Sequence, residues 1–556
     1  GGIISKFERE KMAAYHLEQA PGAKEKVFIQ KFYLYLNMTK PSERLYVTFC
    51  RVNSDGKALR RSYLIGTLLK LFPQLVVEEP SEEETLEGVL TAESALPFLM
   101  EGLNKPVEDE EAWTALLAWY LSDEGDREKA LQLFDAAFGV HQDDAISKAV
   151  TKALYGNTLD NSVTRLEQFA ACAFAHYLSY GLRLRERELQ QFASVDMGNI
   201  YHDVLERFAK GIEMSEYTWF DIPQEAQDAL LSQSMEDAIA GSGIGDVFED
   251  ARNSYLLKRM ETTAKRTIWA LMLQVRKGKF VPSGFEVSFS RAERLDAVQF
   301  QLGEDEKMRL RGRIDRIDTY ETDDKVYVKI IDYKSGNTSF SLLNFYYGLQ
   351  LQLVVYMNVA LELTKKMYKG KDTEPAGIFY YHITDPMVDS DGGESEEEIR
   401  RSILEQLKVG GLVNEDPEIY GAMDTDFTGT SSVIPVALKD GMIQENYSSV
   451  ASGRRFEILK NYVRRQLACS GREILDGNTA VEPYKGAAGS ACDYCPYHGV
   501  CGFDAKVAGY RFRKFPAIQA EKIWEKMSEA TEEDGDTAGR TADTDAGMAE
   551  NGGKWE

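Results

Sequence analysis

Two carboxylates and one lysine lie in a pair of strand-like segments. Asp315 belongs to the sequence GRIDRID, and Asp332 and Lys334 belong to IIDYKSG. Residues two apart on an extended strand share a face, so Asp332 and Lys334 are expected to point the same way. A polar turn at residues 321–325 would fold the two strands into a hairpin and bring Asp315 alongside. The sequence therefore predicts two carboxylates and one amine in a single pocket.

This set of groups suits the hydrolysis of phosphodiesters. Carboxylate oxygens are hard ligands that hold Mg²⁺, and Mg²⁺ neutralises a phosphate and lowers the pKa of a bound water. A lysine can orient that water or stabilise the charge that develops on the phosphate. A lone Asp-x-Lys pattern is more often an ordinary surface ion pair, so the interpretation depends on further signals.

Three other polar residues lie on predicted helices next to these strands. His202 belongs to GNIYHDVLERF, on a helix that precedes the strands. Gln352 and Tyr356, in QLQLVVY, are four residues apart and therefore share one face of the helix that follows the hairpin. Alone, His202 would be a surface histidine and the other two would be residues at the edge of the core. Beside the hairpin they favour a built site.

A group of cysteines indicates a second metal site. Three of the six cysteines in the chain lie within CDYCPYHGVC, as Cys492, Cys495 and Cys501. Six cysteines are too few for a disulfide scaffold in a chain of this length, and such clustering is typical of metal binding. A fourth ligand must come from elsewhere, and Cys172 is the best candidate. Thiolates suit Zn²⁺ or an iron-sulfur cluster, and His498 could serve zinc, so the spacing leaves the metal open.

The elements that would position these residues follow from apolar periodicity. Residues 90–154 and 166–272 have helical spacing, residues 285–289, 308–320 and 326–333 have the composition of strands, and residues 341–366 predict one long helix. A strand at residues 377–383 and a helix at residues 456–469 follow. The apolar run at residues 45–50 also predicts a strand. After Lys526 the chain has scarcely an apolar residue and is expected to be disordered. The fold class expected from this order is α/β.

Length and charge limit the class of protein. A chain of 556 residues exceeds the usual size of one hydrophobic core, so two or three folded units are expected. With no apolar run of about 18 residues and no secretory leader, we expect a cytoplasmic protein that does not enter membranes. The opening Gly1-Gly2 suggests an N-terminally truncated sequence. The net charge of -25 argues against coating nucleic acid through bulk electrostatics, although residues 307–316 and 454–465 are locally basic.

Six motifs occur in a consistent order from residue 166 to residue 504. They are LEQFAACAFAHYLSYGL, GNIYHDVLERF, GRIDRID, IIDYKSG, QLQLVVY and CDYCPYHGVC. In this order they resemble the RecB-like nucleases, and among them the AddB subunits of the bacterial AddAB helicase-nucleases. The stretch YLYLNMTKPSERLYVTF resembles the last helicase motif of the same subunits. Active motors usually carry arginine at the position of Lys40, and no GxxxxGK[ST] loop occurs, so ATP hydrolysis by this chain is doubtful.

The resemblance implies a domain plan. The fold would be a PD-(D/E)xK, restriction-endonuclease-like core with large helical additions, preceded by a remnant of a helicase-like domain. Residues 1–78 would end the helicase-like domain, and residues 79–160 would form a helical connector. Residues 161–515 would be the nuclease domain with its iron-sulfur staple, and residues 516–556 would be a helix end with a disordered acidic tail.

The resemblance also implies roles for single residues. Four cysteines would bind a 4Fe-4S cluster that joins the two ends of the nuclease domain: Cys172, Cys492, Cys495 and Cys501. Three residues would ligate or border the catalytic Mg²⁺: His202, Asp315 and Asp332. Lys334 would assist the attacking water, and Gln352 with Tyr356 would position the DNA strand. Glu286 is where related nucleases sometimes place another acidic residue, whereas Asp318, on the opposite strand face, is interpreted as structural.

The function implied is that of a Mg²⁺-dependent DNA exonuclease subunit in an ATP-dependent helicase-nuclease complex. Its partner would be an AddA-type helicase-nuclease subunit. Its substrate would be double-strand DNA ends, with trimming of the 5'-ended strand during repair by homologous recombination. Two alternatives remain open: a catalytically silent DNA-holding subunit, and a freestanding exonuclease like those of CRISPR adaptation.

Overall fold

The computed structural model describes residues 12, 15–16, 23–53, 57–78, 91–104, 106–107, 109–143, 145–187, 194–242, 251–289, 295–336, 338–388, 395–487 and 489–540. The chain divides into two compact units, Gly1–Glu128 and Lys129–Glu556. The four-part domain plan expected from the sequence stays a prediction.

The first unit is helical in its described residues. Its helices are α1 (Ala23–Thr39), α2 (Tyr63–Leu71), α3 (Ala92–Asn104), α4 (Glu110–Ser122) and the beginning of α5 (Glu124–Phe138). Helices α3 and α4 pack through the fully buried Tyr120 and through Trp113, whose indole donates to the Leu99 carbonyl over 3.1 Å. The strand expected at residues 45–50 is wrong. Within the described residues this run joins no ladder, and Leu45 and Tyr46 are exposed.

The second unit combines helices with a large sheet. Its described helices are α6 (Lys148–Tyr155), α7 (Val163–Ala171), α8 (Ala173–His176), α9 (Ser194–Met214), α10 (Gln224–Gly241), α11 (Ala251–Arg276), α12 (Leu342–Tyr346), α13 (Gln352–Met367), α14 (Glu396–Gln406), α15 (Pro417–Met423), α16 (Gly453–Leu475), α17 (His498–Cys501) and α18 (Ala520–Arg540). A π-helical turn, Tyr177–Gly181, follows α8, and 3₁₀ turns lie at Asp296–Val298 and Glu445–Tyr447. No described helix is both long and apolar enough to span a bilayer.

The strands of this unit are mostly short. They are β1 (Thr158–Asn161), β2 (Val281–Ser288), β3 (Gln299–Gln301), β4 (Lys307–Leu310), β5 (Arg313–Glu321), β6 (Lys325–Lys334), β7 (Asp372–His382), β8 (Gly410–Asn414), β9 (Leu438–Lys439), β10 (Met442–Ile443), β11 (Val450–Ala451), β12 (Tyr484–Gly486), β13 (Gly489–Ser490) and β14 (Arg513–Lys514). Six of them form the main sheet, in the order β11-β8-β7-β6-β5-β2.

The main sheet is mixed and is covered on both faces. Strands β2, β5 and β6 pair antiparallel, whereas β6 and β7 pair parallel. The middle of β6 is almost continuously apolar, as expected for a strand buried on both sides. One face packs against a core that includes residues of α13 and α16, and the other against a core built by α9, α10 and α11. The expected α/β class is confirmed.

Two expectations about helices are wrong in part. The helix expected at residues 341–366 is interrupted, because α12 ends before Gly348, which has a φ of 79°. Glycine adopts this left-handed conformation without a steric penalty and commonly ends helices. The disorder expected after Lys526 is also wrong for residues 527–540, since α18 continues to Arg540 and buries Met527. Residues 541–556 lie outside the described part of the chain.

Candidate functional site

The β5–β6 hairpin brings the two predicted carboxylates together. Arg316 pairs with Ile331 in the antiparallel register, and Asp315 and Asp332 are the next residues on their strands. The backbone N–H of Tyr333 donates to Asp315 Oδ2 over 2.8 Å, which fixes the orientation of that carboxylate. Both aspartates are buried. The hairpin expected from the turn at residues 321–325 is therefore present.

Lys334 lies beside Asp332 and is held by a residue of α13. Its Nζ is 2.6 Å from Asp332 Oδ2 and donates to Gln352 Oε1 over 3.1 Å. Gln352 Nε2 in turn donates to the hydroxyl of Tyr356 over 3.0 Å, one helical turn later. The amine also lies 5.6 Å from the ring centre of Tyr380 on β7. The lysine is thus fixed from three elements, β6, β7 and α13.

His202 reaches the same place from α9. Its Nδ1 lies 3.2 Å from Glu286 Oε1 and 3.5 Å from Asp315 Oδ2, and its Nε2 lies 3.2 Å from the carbonyl oxygen of Tyr333. Ligand atoms of His202, Glu286 and Asp315 all fall within 4.8 Å of one another. The structure therefore brings together all six residues predicted for the catalytic site and adds Glu286 to them.

Glu286 occupies a strained backbone position. Its φ is 48°, although β2 is otherwise extended, and its side chain is buried and also contacts Arg313. A left-handed conformation costs a residue with a Cβ atom roughly 1–2 kcal/mol, and such strain concentrates at functional sites. The sequence offered only the weak signal of an acidic residue in a strand. The positive φ that turns this carboxylate toward His202 has no signature in GFEVSF.

The electrostatics of the site are those of crowded, buried acids. Burial, and next the nearby Asp332 carboxylate, raise the pKa of Asp315 to about 7. Burial also raises the pKa of Asp332, although Lys334 opposes the shift. Burial disfavours the charged form of His202, but the hydrogen bond to Glu286 and the charge of Asp315 outweigh it and raise the pKa of the imidazole. A bound cation would relieve the repulsion among these carboxylates.

The donor set fits a hard divalent cation. Asp332 Oδ1 is buried and accepts no hydrogen bond from the described residues, so one carboxylate oxygen is left for a ligand. Carboxylate oxygens with one imidazole suit Mg²⁺ or Mn²⁺, whereas a site without thiolates is unlike those that select softer metals. His202, Glu286, Asp315 and Asp332 could hold the ion. Their roles as ligands stay a prediction.

Asp318 lies apart from this site, on the other face of β5. It is fully buried, with Oδ1 2.6 Å from Arg316 Nε and Oδ2 3.3 Å from Lys329 Nζ. Burial alone would raise the pKa of Asp318, but these two positive charges outweigh it and lower the pKa. The guanidinium of Arg316 also lies 5.6 Å from the ring centre of Trp219. Asp318 therefore supports the hairpin from behind, in keeping with the structural interpretation.

The four predicted cysteines meet at a second place in the fold. Cys172, at the end of α7, lines one small cavity with Cys492, Cys495 and Cys501. All four are free thiols, and burial followed by the neighbouring thiols raises the pKa of Cys492 to about 11. His498 is engaged elsewhere, with Nε2 2.9 Å from the carbonyl oxygen of Cys492. Two segments 320 residues apart in sequence are thus joined at a cluster of thiols.

Sequence comparison places this site in a known group of enzymes. A family model described as "PD-(D/E)XK nuclease superfamily" matches residues 161–502. The B subunit of the ATP-dependent helicase/deoxyribonuclease of Lachnoclostridium phytofermentans is 36% identical over 544 residues, which are 96% of this chain and 46% of that protein. The B subunit of the same enzyme from Thermoanaerobacter sp. (strain X514) is 31% identical over 544 residues, 96% of this chain and 47% of that protein. That from Clostridium botulinum (strain Langeland) is 33% identical over 541 residues, with the same two shares.

The chain spans about half the length of these relatives. The family match covers both the hairpin with its carboxylates and most of the cysteine-rich segment, residues 484–514, including Cys492, Cys495 and Cys501. From the ordered motifs, the mixed sheet and this match, the chain belongs to the PD-(D/E)XK nuclease superfamily.

Proposed function

We propose that the site formed by β2, β5, β6, α9 and α13 is a Mg²⁺-dependent deoxyribonuclease centre that hydrolyses phosphodiester bonds. The observation that carries this proposal is the convergence of four potential ligands and one ammonium group from four separate elements, α9, β2, β5 and β6. An ordinary surface ion pair would not need buried acids, a strained backbone and an unpartnered carboxylate oxygen at one point.

The residues of the chain would divide the work. His202, Glu286, Asp315 and Asp332 would hold the cation. When bound, the cation would supply Lewis-acid activation of the phosphate and a more acidic water. Lys334, fixed between Asp332 and Gln352, places a positive charge beside the ligands, where it can stabilise charge that develops on the phosphate. Such a charge needs no reorganisation during the reaction because its partners already hold it in place.

The cysteine cluster is proposed to bind a 4Fe-4S cluster. Within the part of the chain that the structure describes, the cavity that the four cysteines share is lined by no carboxylate, and His498 Nε2 lies 2.9 Å from the carbonyl oxygen of Cys492. This set of side chains supports a cluster held by four thiolates. Protein purified without oxygen should be brown and contain iron. A colourless protein with stoichiometric zinc would contradict this assignment.

The wider role follows from the relatives. Since each is named as the B subunit of an ATP-dependent helicase/deoxyribonuclease, we infer that this chain assembles with an AddA-type subunit and acts on DNA ends. Within such a complex it would degrade the 5'-ended strand in the 5' to 3' direction during recombinational repair. Duplex substrates labelled at one 5' end or one 3' end would test the polarity, and co-purification would test the partner.

The test of the catalytic proposal is Asp332→Asn, with Glu374→Gln as its matched control. Glu374 on neighbouring β7 also pairs with a lysine, at 2.7 Å from Lys325 Nζ, but lies away from the site. We expect Asp332→Asn to reduce Mg²⁺-dependent cleavage by at least about 100-fold while DNA binding persists, and Glu374→Gln to cleave normally. Cleavage by Asp332→Asn at the parent rate would refute the assignment. A parent chain that binds DNA and never cleaves it with any divalent ion would be a silent DNA-holding subunit.

A further inference from the structure

The N-terminus of α13 is capped by a residue from a distant part of the chain. Leu351, at the N-cap position, offers no side-chain hydrogen bond of its own. Instead, Glu167 Oε1 accepts hydrogen bonds from the backbone N–H groups of Leu351, over 2.6 Å, and Gln352, over 3.1 Å. Glu167 lies on α7, 184 residues before Leu351. A carboxylate in this position satisfies two N–H groups that a helix leaves unpaired and interacts well with the helix dipole.

The capped residue is the one that holds Lys334. The Gln352 side chain accepts from Lys334 Nζ and donates to Tyr356, so both its backbone and its side chain are fixed. Glu167 thus lies two hydrogen bonds away from the ammonium group: one to the backbone of Gln352 and one from its side chain. Among the described residues, Glu167 forms no hydrogen bond or ion pair with the proposed metal ligands.

The far end of α7 is anchored to the cysteine-rich segment. Arg513 Nη2 donates to the carbonyl oxygens of Ala170, over 2.6 Å, and Ala171, over 3.2 Å. The next residue is Cys172, which ends the helix. Near its middle, helix α7 therefore contacts Gln352, the residue that holds Lys334. At its end it contributes Cys172 to the thiol cluster.

We propose that Glu167 is a positioning residue of the nuclease site. It fixes the start of α13 and thereby keeps Gln352 in place to accept the hydrogen bond from Lys334. The proposal rests on the nuclease function proposed above. It assigns Glu167 no contact with DNA or metal. Its effect passes through the backbone of one residue to the amine that acts on the phosphate.

A second glutamate provides a matched control. Glu362 accepts hydrogen bonds from the backbone N–H groups of Asp296 and Ala297, each over 3.1 Å, at the start of a 3₁₀ turn. This is the same type of contact, made by the same residue type. Glu362 lies ten residues after Gln352 on α13, which is about 15 Å along the helix. A purely structural capping role would make the two glutamates equivalent.

The experiment compares Glu167→Ala, Glu167→Gln and Glu362→Ala in the full chain, with kcat and KM measured on duplex DNA at saturating Mg²⁺. We expect Glu167→Ala to lower kcat by roughly 10- to 100-fold with little change in KM, because a small displacement of a catalytic group has this effect. Glu167→Gln should keep most of the activity, since an amide oxygen can accept both hydrogen bonds. Glu362→Ala should retain the parent kcat. Equal losses in Glu167→Ala and Glu362→Ala, or no rescue by glutamine, would overturn the proposal.

A second readout does not depend on cleavage. Lys334 is 28% exposed, and its reaction with an acetylating reagent can be followed by mass spectrometry. Glu167→Ala should increase the labelling of Lys334 several-fold, whereas Glu167→Gln and Glu362→Ala should leave it unchanged. If the parent chain cleaves no DNA, the proposed function fails while this measurement still decides the role of Glu167. Unchanged labelling in Glu167→Ala would refute that role.

Discussion

Loss of Cys172, one of the four proposed cluster ligands, should loosen the attachment of the cysteine-rich segment to the rest of the second unit. The change is Cys172→Ser, which removes a single sulfur from α7 and leaves the three later cysteines in place. Cys469→Ser is the control, since Cys469 is partly buried on α16 and does not line the thiol cavity. If a cluster joins α7 to the cysteine-rich segment, Cys172→Ser should loosen this attachment and Cys469→Ser should not.

The size of the effect follows from the balance between contacts and chain entropy. Cys492 follows the end of α16 at Leu475 by 17 residues, so holding it against α7 costs about 2.5 kcal/mol of loop-closure entropy. Five groups donate hydrogen bonds that cross this junction in the described residues: the His141 N–H, the Phe174 N–H, the Ser179 hydroxyl, the Tyr497 hydroxyl and the Arg513 guanidinium. At about 1 kcal/mol each, they exceed that cost by about 2.5 kcal/mol. Without the cluster, the segment should therefore be open in roughly one molecule in seventy.

Hydrogen exchange measured by mass spectrometry provides the assay. Peptides covering residues 484–514 should be strongly protected in the parent chain and in Cys469→Ser. In Cys172→Ser they should exchange only about 70-fold more slowly than an unfolded peptide. Residues 313–334 of the hairpin should stay protected in all three, because their strands are paired and buried independently of the segment. Parent-like protection of residues 484–514 in Cys172→Ser would refute the reasoning.

Four further predictions concern the hairpin. Burial, and next the Asp332 carboxylate, raise the pKa of Asp315 to about 7, so a cation must displace a proton there. Mn²⁺ affinity measured by calorimetry should therefore fall about fivefold between pH 7 and pH 6, and equal affinity at pH 6 and pH 8 would count against this. The same raised pKa stabilises the metal-free fold in acid, and this contribution should be lost as the pH rises through 7. Lys334→Met should cut cleavage at least about 100-fold without weakening Mn²⁺ binding, and parent-like cleavage would contradict the role of the amine. Arg316→Met leaves the carboxylate of Asp318 buried without its main partner, so urea unfolding should show a loss of about 3–5 kcal/mol, and a loss below about 1 kcal/mol would be inconsistent with the buried ion pair.

The hairpin was predictable because its logic is local. The period of two puts Asp332 and Lys334 on one face wherever the strand goes, and the polar turn sets the partner strand. The same reasoning placed Asp318 away from the site, in agreement with its buried ion pair. The middle of β6 is apolar apart from Lys329, which agrees with its burial on both faces.

Other features depend on contacts that the sequence does not encode locally. The cap on α13 comes from Glu167, which lies 184 residues before Leu351 in the sequence. The motif LEQF contains no feature that predicts this contact. The inward turn of Glu286 depends on a positive φ within a strand, against the ordinary preference of glutamate. The break before α13 did have a local signal, Gly348, which the long apolar pattern of residues 341–366 outweighed.

Two expectations, the strand at residues 45–50 and the disorder after Lys526, were wrong because both outcomes depend on tertiary contacts. A branched, apolar run such as residues 45–50 becomes a strand only where a neighbour supplies a ladder, and none of the described residues does so. The end of α18 was expected to be disordered because it lacks apolar residues. It continues as a helix, however, from a beginning in which Ile523, Trp524 and Met527 are buried in the core.

The most direct test of the account is a crystal structure of the chain grown with Mn²⁺, with anomalous diffraction recorded to locate the ion. We expect one strong peak bounded by His202, Glu286, Asp315 and Asp332, with oxygen ligands at about 2.1–2.2 Å and the Lys334 amine close by but not bound to the ion. An empty site at saturating Mn²⁺, or a peak held by other residues while these four side chains face apart, would contradict it.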